Sequence, residues 1–416
     1  MRLPYVTGLR CVICGKDHGP EATGTCPKCG LEGILDVRYD YDRVARSLTP
    51  ESVWSRPRDH WRFRELIPVA PETTLPPLHV GWTPVYDAKR LAVFVGVHRL
   101  LLKDEGRNPT ASFKDRASSV GVAKALEAGA RTIACASTGN AASSLAGMAA
   151  SVGLPSVIFV PERAPAPKVA QLLVYGAHVI QIKGTYEQAW DLCQAAATRW
   201  GWYNRNCAVN PFLVEGKKTA GHEIAEQCGK EMPDWVVISV GDGCTIAGVW
   251  KGLVEMKRLG FCDRLPRMLG VQAEGAAPLT HAFKTKTPFR PCEASTFADS
   301  ICVGHPRNWR KALASVEESH GAMVAVPDGT IVHAMRQTAR LGGVFGEPAG
   351  VAAVAGILQA RADGVVGQND SLLAVITGSG LKDVRSAQEA AGSPWIVEPE
   401  MSSLEQLLKK NHVIGP

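Results

Sequence analysis

The chain has no run of roughly 18 apolar residues free of charge, so no helix of it is expected to cross a bilayer. It has no block of lysine and arginine either. A net charge of +6 over 416 residues is modest, and charge alone does not suggest nucleic acid. The start, Met1-Arg-Leu-Pro-Tyr, lacks the basic-then-apolar pattern of a secretory signal, so a cytoplasmic address is expected. What the chain does hold is 45% hydrophobic residues against 21% charged, enough to bury a large core in two or three domains.

Twelve cysteines fall into two populations. Cys135, Cys193, Cys207, Cys228, Cys244, Cys262, Cys292 and Cys302 are scattered singly and read as small buried hydrophobes or inert thiols. Cys11, Cys14, Cys26 and Cys29 instead form two CxxC turns, each followed by a glycine that relieves the tight backbone. Four thiolates so spaced can close a tetrahedral zinc site, and a unit this small needs such a staple to fold; redox pairs or a chance spacing are the alternatives. His18, between the pairs, is surplus to a complete shell and reads as a loop residue. The stretch from Leu35 to about Pro77, punctuated by proline and charge, reads as a connector wrapping the main body.

Beyond it, short apolar runs alternate with longer helix-like segments. Strands are predicted at Leu100 to Leu102, Thr132 to Ala136, Ser156 to Val160, His178 to Ile182, Val236 to Val240, Met268 to Gln272 and Leu372 to Thr377. Ala-rich helical patterns separate them, including Ala141 to Val152, Val169 to Tyr175, Tyr186 to Trp200, Thr219 to Gly229 and Ile246 to Leu259. Continuously apolar strands alternating with helices predict parallel sheets covered on both faces, an α/β architecture.

Three polar loops follow predicted strands, where ligands of open α/β sheets bind. Gly241-Asp242-Gly243-Cys244-Thr245 precedes an apolar-periodic helix, and its amides with the helix dipole suit a phosphate. It lacks the Walker lysine and the full dinucleotide fingerprint, and a plain tight turn has the same look. Ser137-Thr138-Gly139-Asn140 offers hydroxyls, close backbone approach and an amide, which together could grip a carboxylate at a helix start. The third loop is Thr377-Gly-Ser-Gly-Leu-Lys382.

Lys114 stands in Asn108-Pro-Thr-Ala-Ser-Phe-Lys114-Asp-Arg116, where Asn108-Pro109 predicts a turn, Thr110 or Ser112 a cap, and Phe113 to Leu126 a helix. An ammonium in a first turn meets the positive end of the helix dipole, and partial burial disfavours it further. The position favours a neutral, nucleophilic amine or its Schiff base. Read alone, Lys114 is equally one surface lysine beside Asp115 and Arg116.

These segments together carry a resemblance. Asn-Pro-Thr-Ala-Ser-Phe-Lys114-Asp-Arg, Ala-Ser-Thr-Gly-Asn140, Gly-Glu347-Pro-Ala-Gly and Thr377-Gly-Ser-Gly-Leu-Lys-Asp resemble those of threonine synthases, pyridoxal-phosphate enzymes of the tryptophan-synthase-β fold type, some of which begin with a zinc ribbon. The resemblance implies two three-layer parallel-sheet domains of fold type II after a small zinc ribbon. The ribbon would span 1–36, the connector 37–77 and the catalytic body 78–416, with a smaller subdomain at roughly 115–230. It implies a Schiff base between Lys114 and pyridoxal phosphate, with the phosphate in the loop of Gly241, Asp242, Gly243, Cys244 and Thr245. Asn140 would bond the phenolic oxygen, Phe113 pack near the ring and Thr377 bond the pyridine nitrogen. Ser137, Thr138 and Gly139 would hold the substrate carboxylate.

The reaction implied is O-phospho-L-homoserine and water to L-threonine and phosphate, by a homodimer with structural zinc and no nucleic-acid or membrane partner. Three departures stand out: Ala111 where many relatives have glycine, an aspartate-containing phosphate loop where asparagine is common, and His178 where some relatives have an arginine that contacts the substrate's phosphate. Related readings are a cysteate synthase or a threonine dehydratase. A reading of another class is a zinc-ribbon interaction or nucleic-acid module on a silent α/β body.

Overall fold

The computed structural model describes residues 3–415 except 163, 165 and 208, and describes 166 and 167 by backbone alone. Its first sheet is small and antiparallel, ordered β2-β1-β3 from β1 (Val6–Cys11), β2 (Asp17–His18) and β3 (Leu35–Tyr39). This sheet carries the CxxC turns, and the boundary expected at residue 36 falls inside β3.

Two larger sheets follow. The six-stranded sheet takes β4 (Val85–Asp87) and β5 (Arg99–Asp104) from one part of the chain. The four-stranded sheet is made of β6 (Ile133–Ala136), β7 (Ser156–Pro161), β8 (His178–Ile182) and β9 (Tyr203–Asn204), in the order β8-β7-β6-β9 and parallel throughout. The chain then returns to the larger sheet through β10 (Trp235–Ser239), β11 (Arg267–Ala273), β12 (Ala322–Val326) and β13 (Ser371–Ile376). The order there is β12-β11-β10-β13-β5-β4, with only β4 antiparallel among the described strands.

Alternation along the strands builds the layers, because successive side chains point to opposite faces. Val236, Ile238, Leu373 and Val375 enter one core, while Trp235, Val237, Leu372 and Ala374 enter the core across the sheet. The smaller sheet repeats the pattern, with Ile133 and Cys135 on one side and Ala134 and Ala136 on the other. Both faces are buried, which is why these strands read as unbroken apolar runs.

The connector lies against the first of these cores through Val44, Leu48, Val53, Phe63 and Leu66. Just before it, β3 is clamped by charge. Lys251 Nζ donates to Asp36 Oδ2 (3.2 Å), Val37 O (2.7 Å) and Glu215 Oε1 (2.7 Å), and Lys311 pairs with Asp36. Tyr39 donates its hydroxyl to Glu215 Oε2 (2.8 Å) and Tyr41 to Glu255 Oε1 (3.1 Å). Lys218 closes the group, 2.6 Å from Glu215 and 2.8 Å from Glu255, with its ammonium over the Tyr39 ring. The four-cysteine unit is thereby bolted to helix Cys244–Arg258, whose first turn lies in the candidate site.

Candidate active site

Lys114 opens helix Lys114–Glu127, reached from β5 through a short turn. Neither expected cap operates. Asp115 instead reaches back, accepting from the Thr110 amide (2.7 Å) and hydroxyl (2.6 Å), while the Ser112 hydroxyl is buried without a hydrogen-bond partner. Ala111 sits at φ 63°, in the left-handed region that favours glycine; alanine costs about 1 kcal/mol in that conformation. The loop is sewn to the third strand-end loop, since Phe113 N donates to Thr377 O (2.8 Å) and Ser379 N to Ala111 O (3.0 Å). Lys114 and Thr377 are thus held in fixed register. Burial lowers the pKa of Lys114 first, and the neighbouring cations Lys217 and Arg205 lower it further.

Asn140 is the first residue of helix Asn140–Ser151, after β6, and its Nδ2 donates to Glu347 Oε1 at 2.7 Å. Gly378 makes this approach feasible: a Cβ there would lie 2.4 Å from Glu347 Oε1 and 3.3 Å from Asn140 Nδ2. Burial pushes the Glu347 carboxyl up to about 7, against the pull of Lys114, Lys168, Lys382 and the Asn140 bond. Because that lies above the ordinary 4.5, the contribution of protonated Glu347 to stability is complete below pH 4.5 and drains away as pH rises through 7. Glu347→Gln is expected to flatten this fall, read from urea midpoints of cofactor-free protein between about pH 4 and pH 8.

The loop after β10 ends in helix Cys244–Arg258, with Gly243 as its N-cap at φ 85°. A non-glycine residue would be strained there. The Asp242 carboxylate accepts from Arg307 N at 2.7 Å and, at the helix start itself, from the Cys244 thiol at 3.4 Å. The first-turn amides have no partner within the helix, so with the dipole they form a positive concavity. Lys217 and Arg205, both buried, stand with Cys207 beside this loop. Sequence reading passed over Lys217 and Arg205 and took Cys207 for a buried or inert thiol.

Ser137, Thr138 and Gly139 form the partly exposed turn between β6 and the Asn140 helix, with Gly139 N donating to Ser137 Oγ at 3.2 Å. Phe113 is fully buried, next to Lys114. His178 is not brought to this group. It opens the outer strand β8, exposed, paired with Val157 and so level with Ala134, roughly 7 Å back from the strand end that carries Ser137. Lys382 is nearer, donating to Ser143 Oγ (2.8 Å) and Gln171 Oε1 (2.9 Å).

An amine of lowered pKa, an amide on a buried carboxyl and a hydroxyl-bearing strand end thus stand near one another, and Lys217 and Cys207 link them to the helix start at Cys244. That donor set suits a small aromatic aldehyde bearing a phosphate. Residues 77–378 match the family described as pyridoxal-phosphate dependent enzyme. Threonine synthase of Methanocaldococcus jannaschii is 38% identical over 407 residues, covering 96% of this chain and 99% of that one. The Mycobacterium tuberculosis threonine synthase is 38% identical over 340 residues, 81% of this chain and 92% of the relative. Among solved structures, threonine deaminase isoform 2 of Solanum lycopersicum aligns with a TM-score of 0.63 at 23% identity, over 75% of this chain and 88% of that one. Maize serine racemase aligns with a TM-score of 0.64 at 20% identity, over 80% and 92%. These two likenesses concern the fold, which is the two-sheet α/β architecture of fold type II.

Proposed function

The chain belongs to the family of pyridoxal-phosphate dependent enzymes, and from that premise we propose that it converts O-phospho-L-homoserine and water to L-threonine and phosphate. The observation that carries the reading is 38% identity to a threonine synthase across 96% of the chain, with Lys114 opening helix Lys114–Glu127. Bound pyridoxal phosphate supplies an electron sink that lets protons leave the α- and β-carbons of an amino acid. The chain's own residues do the rest. Lys114 Nζ holds the cofactor's aldehyde carbon and, once freed, carries the α- and then the β-proton. The amides of 241–245 hold the cofactor phosphate, with Lys217 and Arg205 adding positive charge beside them. Asn140, held by Glu347, faces the phenolic oxygen, and Thr377 presents a neutral hydroxyl to the ring nitrogen. Ser137, Thr138 and Gly139 bind the substrate carboxylate.

Incubating the purified protein with O-phosphohomoserine should yield threonine and inorganic phosphate in equal amounts. Turnover of phosphoserine with sulfite instead would point to a cysteate synthase, and 2-oxobutanoate with ammonia from threonine to a dehydratase. Cofactor addition that left the protein colourless would favour the ribbon module on a silent body.

The same reading assigns zinc to Cys11, Cys14, Cys26 and Cys29, whose sulfurs all lie within 4.8 Å of one another. Four thiolates leave no open position, which supports a structural role. Metal analysis should return about one zinc per chain, and Cys26→Ser should lose most of it; undiminished metal would place it elsewhere. A cytoplasmic homodimer and the division into ribbon, connector and body complete the proposal. Among the described residues, no helix is long and apolar enough to cross a membrane.

A further inference from the structure

The chemistry proposed above makes no use of two thiols that the fold brings together at the 241–245 loop. Cys207 follows β9 of the smaller sheet, and Cys244 is the first residue of the helix that follows β10 of the larger one. Their sulfurs and a carboxylate oxygen of Asp242 all lie within 4.8 Å of one another. Cys207 Sγ accepts from Lys217 Nζ at 3.1 Å and from Arg205 Nη1 at 3.9 Å, so two buried cations stabilise its thiolate. Cys244 keeps its proton, with Asp242 Oδ2 3.4 Å from its sulfur and the Cys207 sulfur within 4.8 Å. The pair divides into nucleophile and thiol: the hydrogen bond from Cys244, then Lys217 and Arg205, hold Cys207 well below the ordinary thiol range, while Cys207 and burial push Cys244 well above it. Other thiols of the body lack this setting. Burial raises Cys135 to about 11, Cys193 to about 12 and Cys228 to about 11.

We propose that Cys207 and Cys244 are a modification site for small hydroperoxides, with Cys207 as the reacting sulfur and Cys244 as the resolving one. The Cys207 thiolate attacks the peroxide, an S–O bond forms, the O–O bond breaks, and the leaving hydroxide takes a proton to become water. Cys244 sulfur then attacks Cys207 sulfur, the S–S bond forms, the S–O bond breaks, and the Cys244 proton leaves with the second water. Two thiols and one hydrogen peroxide thus give one disulfide and two waters. A small thiol reverses it by exchange. The cross-link would staple the first turn of helix Cys244–Arg258 to the segment after β9 and strip Lys217 of its anionic partner. On the cradle reading of the 241–245 loop, bound cofactor phosphate shields Cys244.

The full-length, metal-loaded protein is treated with equimolar hydrogen peroxide, quenched with an alkylating agent, digested and weighed by mass spectrometry. The expected product is a peptide pair joined through Cys207 and Cys244, restored to two alkylated thiols by dithiothreitol. Cys244→Ser should leave a sulfenic acid on Cys207 that a cyclic dione traps, and Lys217→Met should slow the reaction by about tenfold. Cys207 recovered as a free thiol while other cysteines oxidise, or no dione adduct on Cys207 in Cys244→Ser, overturns the proposal. Saturating pyridoxal phosphate should slow disulfide formation; equal rates with and without it would overturn the cradle reading alone.

Discussion

Replacing Lys114 by alanine is expected to leave the fold intact and to cut turnover by roughly a thousandfold or more. The side chain is partly buried at a helix start, so its removal opens little space in the core. Its amine, in contrast, is the group that the proposed chemistry uses three times: to hold the cofactor, to take the α-proton and to move the β-proton. Burial and the cations Lys217 and Arg205 already favour the neutral amine that each task requires. The experiment compares threonine formation from O-phosphohomoserine at saturating cofactor, with thermal unfolding as the control. Visible absorbance gained on adding pyridoxal phosphate should be lost in the variant. An unchanged unfolding temperature together with activity within tenfold of the parent would remove Lys114 from the reaction.

Two residues further along, the largest loss of stability is expected from Arg116→Met, about 3–5 kcal/mol. The guanidinium is fully buried between two buried carboxylates. It donates to Glu105 at 2.8 and 2.7 Å, to Glu223 at 2.6 and 2.7 Å, and to Thr219 Oγ1 at 3.0 Å. With the arginine gone, Lys103, 2.9 Å from Glu223, is the one ammonium paired with either carboxylate among the described ion pairs. An uncompensated charge in the interior is what makes such a deletion costly, while the intact pair adds little over apolar packing.

The sign with pH follows from Glu223. Burial raises its pKa, but Arg116 and Lys103 more than offset that and hold it far below the ordinary 4.5. The network's contribution is therefore present above about pH 4.5 and lost as pH falls below it, and Arg116→Met should flatten that acid limb. Urea unfolding at pH 7 and pH 4 would test both points. A loss under about 1 kcal/mol would mean that the buried charges relax to water or change protonation instead. Adding Glu105→Gln and Glu223→Gln should recover part of the loss.

Lys114, the strand-end loops and the four cysteines were legible in sequence because each is local: a spacing, a turn or a strand–helix junction. All seven predicted strands formed, within three residues at each end. β12 was not predicted, and helices Asp328–Gly342 and Pro348–Ala362 did not figure among the named patterns. The second of these helices is apolar on nearly every face and buried along its length, so it shows no helical stripe to read. Arg205 and Lys217 escaped notice, and Cys207 was read as an inert thiol, for another reason. Arg205 and Cys207 follow β9 of the smaller sheet and Lys217 ends helix Phe212–Lys217, and only tertiary packing sets them beside the loop at Cys244. His178 shows the converse: its place in sequence drew attention, but a strand start lies at the wrong end of a parallel sheet.

The clamp on β3 also orders events during synthesis. The cysteine unit, Cys11 to Cys29, can close the proposed metal site as soon as it is made, whereas Asp36 waits for partners 215 and 275 residues later, Lys251 and Lys311. At roughly 5–20 residues per second, the nascent unit stands alone for tens of seconds before its berth exists. On the zinc reading proposed above, metal is what keeps it folded over that interval, because so small a core cannot. A shortage of metal would then act on the growing chain more than on the finished one, whose ribbon is already held by Lys251, Glu215 and Glu255.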